Sequence, residues 1–369
     1  MNKKDLSEIR RHMTKNKTGI TRVYGCFFNS VRQVVSTFER PVADMTETEL
    51  DMWLKRLKKP VSGQIGKAVY PIGMDTGASA RADLMALYQS RLENPEMLRA
   101  LFERIIEKID MGEGEGNHLI VMAYDSYDVP ARTSTGNIDR DSAEMTYSYI
   151  ICCVCRVKDG SPELRYASSD GDFRLEELHF VVGEPLCGFV YPAFSERMPD
   201  YNSVSYCMRK QEFPHEELVD TLFQAEPPKT QNDRKAEFTH ALSEAQEGAC
   251  EFDTFCDIYR AVQRVEEVID TEDSPVPAEG MTGEEVCTML SGCGLSDEQV
   301  DTFRQNYTAE RVRPAAIMDT GKLTVAAGDI KITVPESAMD LFTVKTVNGR
   351  RYIMIPTDIG VEINGFAVK

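Results

Sequence analysis

Apolar positions recur at three and four residues in some stretches of this chain and alternate or run unbroken in others. The changes of period mark out its elements. Leu6, Ile9 and Met13 form one stripe over residues 2–14, which reads as a basic amphipathic helix. Over 20–38 the pattern becomes that of strands. Val23 to Phe28 and Val31 to Phe38 flank Asn29-Ser30, as in a hairpin. Thr46 and Glu49 then form a capping box that opens a helix through Trp53 and Leu57, ended by Pro60 and Gly63. Leu84 to Leu92 and Glu96 to Ile109 predict two more helices, separated at Asn94-Pro95, with Gly112, Gly114 and Gly116 breaking the second. Strands follow at 118–124, 146–157, about 163–168 and 178–191, the last closed by Pro192, and Tyr201 to Met208 adds another.

The period then returns to that of helices at His215 to Phe223, 232–247 and 251–269. In the last of these Phe252, Phe255, Ile258, Val262 and Val265 keep helical spacing and read as core. The segment 271–280, TEDSPVPAEG, combines acids, two prolines and a glycine and reads as a linker. Beyond it Thr282 with Glu285, and Ser296 with Gln299, cap two short helices around Gly292 and Gly294. Short strands come last, with Asn348-Gly349 as the strongest hairpin signal in the chain. The expected fold is α+β. A mixed or mainly antiparallel central sheet over residues 18–210, flanked by helices, forms a main domain at 1–270. The linker at 271–280, a helical hairpin at 281–312 and a small β-module at 313–369 follow it.

Length agrees with more than one domain, since 369 residues exceed an ordinary compact domain. The first thirty residues are basic and hold no apolar core of signal-peptide length, and no apolar run reaches the roughly 18 residues a membrane span needs. A cytoplasmic protein without a membrane segment is therefore expected. Ten cysteines in such a chain read as reduced and buried, with Cys152, Cys153 and Cys155 alternating faces of one strand. The net charge of −18 is uneven. Residues 1–70 carry 14 basic and 7 acidic side chains, so the remainder carries −25. That acidic body disfavours non-specific binding to DNA or RNA, and the basic start of the chain is free to meet the chain's own acids.

Several blocks resemble a bacterial domain-of-unknown-function family: MNKKDLSEIRR, ITRVYGCFFN, LIVMAYDSYDVP, SYIICCVCRVK and GFVYPAFSER. The similarity extends more loosely through IMDTGKLTV and RRYIMI to nearly the whole chain. The resemblance implies a bacterial, cytoplasmic α+β protein, and no activity, substrate, cofactor or site residue comes with it.

Candidate chemistry gathers at one place. The apolar run Leu119 to Ala123 delivers Tyr124, Asp125, Tyr127 and Asp128 to one short segment, followed by Pro130 and Arg132. Tyr124, Asp125, Tyr127, Asp128 and Arg132 form the candidate ligand-binding loop. Asp125 and Asp128, with His118, suit a metal-dependent hydrolase acting by acid and base. The competing reading is structural: Asp128 in an Asx-type turn before Pro130, the tyrosines packed, and Arg132 paired with an aspartate. Asp75-Thr76-Gly77 and Asp319-Thr320-Gly321 repeat the triplet of aspartic peptidases, but Arg81 to Tyr88 reads as helix and Lys322 stands where that pattern wants a hydroxyl. Cys250 with Cys256, and Cys287 with Cys293, are spaced too widely for a structural zinc pair, so neither a metal nor a cofactor is expected. The leading function class is a non-enzymatic interaction or regulatory protein, with a protein partner or self-association, because small modules behind a linker suit tethered recognition.

Overall fold

The computed structural model describes residues 1–369 except 112–115, 133–137, 161–162, 168–170, 177–179, 210–214, 270–273, 275, 278–279, 310, 319–321, 336–337, 339–340, 357–359, 364–365 and 369. The chain divides into two compact units, Met1–Thr230 and Gln231–Lys369.

The first unit opens with helix α1 (Lys3–His12), the hairpin of β1 (Arg22–Phe28) and β2 (Val34–Pro41), and α2 (Glu47–Leu57). β3 (Val69–Gly73), α3 (Ser79–Gln89) and α4 (Pro95–Lys108) follow. The long strands β4 (Asn117–Arg132) and β5 (Ile138–Asp159) come next, then a small hairpin of β6 (Glu163–Ala167) and β7 (Asp172–Glu176). β8 (Phe180–Tyr191), β9 (Ala193–Ser195), β10 (Met198–Asp200), β11 (Ser203–Met208) and α5 (Glu216–Phe223) complete it. Seven strands form one antiparallel sheet in the order β2-β1-β4-β5-β8-β11-β3.

Both faces of this sheet are buried, which explains why β4 and β5 read as nearly continuous apolar runs. Ile120, Met122 and Cys152 join Leu84, Leu101 and Leu218 of α3, α4 and α5 on one face. Leu119, Val121 and Cys153 join Ile9 of α1 and Leu54 of α2 on the other. The cysteines alternate between these two cores, and all ten in the chain are free thiols. Burial pushes the Cys155 and Cys207 thiols up to about 12. Only Cys250 is partly exposed. A thiol reagent is therefore expected to label one cysteine quickly in the native chain and all ten in denaturant. Fast labelling of several native thiols would contradict this packing.

The sequence reading needs adjustment at several places in this unit, and β3 was not expected from it at all. The first hairpin turns over Asn29 to Gln33, because the Asn29 side chain accepts from the Val31 and Gln33 amides and Arg32 takes a left-handed φ of 62°. α3 starts at Ser79, five residues before the expected start. Most important, β4 does not end at Tyr124. It pairs residue for residue with β5 as far as Val129, and after a bulge as far as Arg132, so the YDSYDVP segment is strand and not a turn.

The second unit holds α6 (Gln231–Ala245), α7 (Phe252–Val268), β12 (Met281–Thr282), α8 (Gly283–Gly292), α9 (Asp297–Asn306), β13 (Arg311–Val312) and α10 (Pro314–Ile317). Three hairpins follow: β14 (Lys322–Ala327) with β15 (Ile330–Pro335), β16 (Thr343–Val347) with β17 (Arg350–Met354), and β18 (Val361–Ile363) with β19 (Phe366–Val368). Both expected capping boxes form, at Thr282 and at Ser296. Asn348 and Gly349 take the left-handed φ values, 51° and 76°, that a two-residue hairpin turn requires. Phe238 and Val262, on helices assigned from sequence to the main domain, share a core with Leu290 and Phe303 from beyond the expected linker. Among the described residues no helix is long and apolar enough to cross a membrane.

Candidate functional site

The site is built on the face of β4 that α1 covers. α1 begins with a capping box in which the Asn2 side chain accepts from the Asp5 amide and Asp5 returns a bond to the Asn2 amide. Its apolar stripe, Leu6 and Ile9, is buried on the sheet with Met13 just beyond. Asp5, Glu8 and His12 recur at three and four residues beside that stripe, so the helix carries a polar row inward with its apolar one. Asp5 is itself buried and accepts from the amides of Glu196 and Arg197, the two left-handed residues of the β9–β10 turn. The Arg197 guanidinium then reaches Glu8 at 2.9 Å and the Pro130 carbonyl.

Asp125 is fully buried at the centre of this arrangement. Its Oδ1 accepts from the amides of Gly19 at 2.7 Å and Ser126 at 2.8 Å, and His12 Nε2 lies 3.4 Å away. Its Oδ2 accepts from the hydroxyls of Tyr149 at 2.9 Å and Thr18 at 3.0 Å. Gly19 must be small here, because a Cβ would stand 2.8 Å from the Ser126 carbonyl oxygen. Burial, and next the adjacent Asp125, hold the Tyr149 phenol well above its ordinary range. Tyr127 stacks on His12 with ring centroids 4.5 Å apart, and its buried hydroxyl has no hydrogen-bond partner among the described residues. Burial pushes that phenol upward as well, with Glu8 adding to it. Tyr147 caps the aromatic group through a 2.7 Å bond to the Pro192 carbonyl.

The five residues marked from sequence therefore separate. Asp125 and Tyr127 share the covered face. Tyr124 lies on the opposite face, 6.2 Å from the Tyr88 ring and under the Arg91 guanidinium. Asp128 also points away from Asp125, by strand alternation, and is exposed, accepting from the Thr146 hydroxyl at 2.7 Å. Its partner is thus cross-strand rather than an Asx turn. Arg132 ends β4, and its side chain lies outside the described residues. His118 is seven residues back, roughly 23 Å along the strand, and on the other face against Phe28. Asp75 sits in a turn before α3, where its Oδ1 accepts from the Gly77 amide, and Asp319 lies outside the described residues. Among the described residues no group of three or more His, Cys, Asp or Glu is placed to hold a metal ion.

His12, Thr18, Tyr149, Asp5 and Arg197 were not marked from sequence. Two signals point to some of them. One is the inward spacing of Asp5, Glu8 and His12. The other is the match of YDSY in β4 to YSY in β5, which sets Tyr149 opposite Asp125 and Tyr147 opposite Tyr127. A separate concavity of about 480 Å³ lies between the first hairpin and the start of α4, lined by Tyr24, Phe38, Leu98 and Phe102 together with Arg22 and Arg99. Arg22 is engaged there by Glu39.

Residues 1–366 match the model of a family described as a domain of unknown function, DUF4317. No curated protein matches the chain.

Proposed function

The chain belongs to that family, whose description carries no chemistry, and we propose that it is a non-enzymatic cytoplasmic interaction protein whose partner is a protein, its own copy included. The observation that supports this most is the use made of Asp125. A general acid or base needs a route to substrate, whereas this carboxylate is fully buried with donors on both oxygens. It ties α1, the Thr18-Gly19 segment and β5 to one point on β4. The surface of the first unit, in contrast, leaves large apolar side chains uncovered, the usual mark of a docking face.

A hydrolase centred on Asp125 and Asp128 would need both carboxylates at one cleft, and strand alternation turns them to opposite faces. Thermal-shift titration with Mn²⁺ and Mg²⁺ distinguishes the two readings. Neither ion is expected to move the midpoint of the wild type. A stabilisation by several degrees that disappears in Asp125→Asn would favour the hydrolase instead.

A further inference from the structure

The large sheet ends in two edge strands, β2 and β3, which differ in what they leave open. β3 is short, carries Pro71 at its centre and is bridged by Ile65 at Val69, all of which blunt an edge. Among the described residues β2 pairs with β1 alone, and Thr37 and Glu39 on it are exposed. The register fixes which of its groups point outward. The Val42 amide donates to the Thr21 carbonyl at 2.8 Å, and the Asn29 amide donates to the Gln33 carbonyl at 3.0 Å. Bonded and non-bonded pairs alternate in an antiparallel ladder, so Phe38 and Arg40 direct their amides and carbonyls to β1. Thr37 and Glu39 direct theirs away from it, and nothing takes them among the described residues. Pro41, at the next outward position, has no N–H and closes the edge at one end, and the bulge beside Phe27 closes it at the other.

Thr37 pairs with Cys26 and Glu39 with Tyr24, so their side chains lie on the face that α4 covers. The concavity of about 480 Å³ is on that face, and Thr37 and Glu39 line it with Tyr24, Leu98 and Phe102. A strand added outside β2 sets the side chains opposite Thr37 and Glu39 on this same face, toward the concavity. Backbone pairing then supplies affinity and the concavity selects a side chain, as in other cases of strand addition.

We propose that the outer edge of β2 and the concavity beside it dock an extended, acidic segment of another protein, which adds as an eighth strand and places an aromatic side chain against Tyr24, Leu98 and Phe102. The inference rests on the interaction reading above and names its partner's chemistry. Charge and shape select this occupant over a second copy. Arg22, Arg32, Arg40 and Arg99 face only Glu39 and Glu93 here, four against two, so the region is locally +2 in a chain of −18. Arg99 has no ion pair among the described residues and can take a carboxylate of the incoming segment. A second copy's β2 would bring the same positive charge. On the face in question it carries only Val34, Thr37 and Glu39, so it has no ring to offer the concavity.

The test is selection from a display library of random peptides of about twelve residues against the full chain, followed by fluorescence polarisation with the selected peptides. Peptides with an aromatic residue among acidic ones are expected. N-methylation at one alternate set of their amides should abolish binding, and at the other set should not, because only one set faces β2. Thr37→Pro removes an outward N–H without touching the ladder to β1, and should weaken binding by about tenfold or more. Should it disturb the circular dichroism spectrum, Arg99→Glu on the exposed side of α4 is the second variant, with a similar loss expected. Failure to enrich any peptide overturns the proposal, as does a dimer that Thr37→Pro abolishes, which would give the edge to a second copy. If selected peptides bind regardless of N-methylation and of both substitutions, the assignment to β2 falls and the interaction reading stands. If no peptide binds and metal stabilises the chain through Asp125, both fall.

Discussion

Asp125→Ala is expected to destabilise the first unit by about 3–5 kcal/mol, among the largest effects of any single substitution in it. The side chain is fully buried, and its two oxygens accept four hydrogen bonds, from Gly19, Ser126, Thr18 and Tyr149, with His12 beside them. Truncation removes the acceptor and leaves the donors. The Tyr149 hydroxyl then stays fully buried with nothing to bond, and each such orphaned group costs about 1–3 kcal/mol. Asp125→Asn keeps the shape but replaces one acceptor oxygen by a donor, which must face either the amides of Gly19 and Ser126 or the two hydroxyls. The hydroxyls can rotate to accept from it, and the amides cannot, so the loss should be smaller, about 1–3 kcal/mol. Urea unfolding of the three proteins checks both values. If both variants unfold within about 0.5 kcal/mol of the wild type, Asp125 is not the structural tie described here and a chemical role regains its force.

The distinction between what was legible and what was not follows from the range of the interactions. Capping at Thr46, Thr282 and Ser296 and the Asn348-Gly349 turn depend on neighbours three residues away or fewer, and they formed as read except at Thr46, where only the hydroxyl half of the expected box is present and the Glu49 carboxylate meets Arg40 instead. The extent of β4 depends on β5, some twenty residues later, and was misjudged. Asp125, Ser126 and Asp128 look like turn residues by local propensity, yet a partner strand carrying the matching Tyr147-Ser148-Tyr149 overrides that preference. The same long range hid the lock around Asp125. Thr18, Gly19 and His12 come to it from more than a hundred residues away in sequence. The alternation already present in the sequence did carry one correct consequence: Asp125 and Tyr127 on one face, Tyr124 on the other. Extended by one residue, it also turns Asp128 away from Asp125. Domain organisation depends on contacts of the same range. The segment 271–280 has linker composition, but composition does not report that Phe238 and Val262 before it are covered by Leu290 and Phe303 after it.

Acid is expected to weaken the first unit through a second buried group, on the opposite face of the sheet. His215 stands at the start of α5 with a left-handed φ of 53°, is 5% exposed, and keeps an unpartnered Nδ1 among the described residues. His118 is fully buried, donates from Nδ1 to the Gly116 carbonyl at 2.8 Å, and keeps an unpartnered Nε2. Burial holds the His215 imidazole down to about 4, with His118 acting in the same direction and Asp110 against it. His118 is lowered too, by burial first and by Arg156 and Arg32 after it. The unfolded chain takes up its histidine protons near pH 6.5. Between that pH and about 4 the unfolded state therefore binds a proton at His215 that the folded state refuses. Stability is complete above pH 6.5 and falls as the pH drops toward 4, by about 3 kcal/mol for His215 alone. His215→Asn separates this effect from the titration of carboxylates. Asparagine tolerates the left-handed backbone, fills less space and does not titrate, so it should lower stability above pH 6.5 and remove the part of the slope below it that His215 contributes. Urea midpoints at pH 7, 5.5 and 4.5 measure it. The gap between wild type and variant should close as the pH falls, and parallel curves would mean that His215 is charged or solvated in the folded chain.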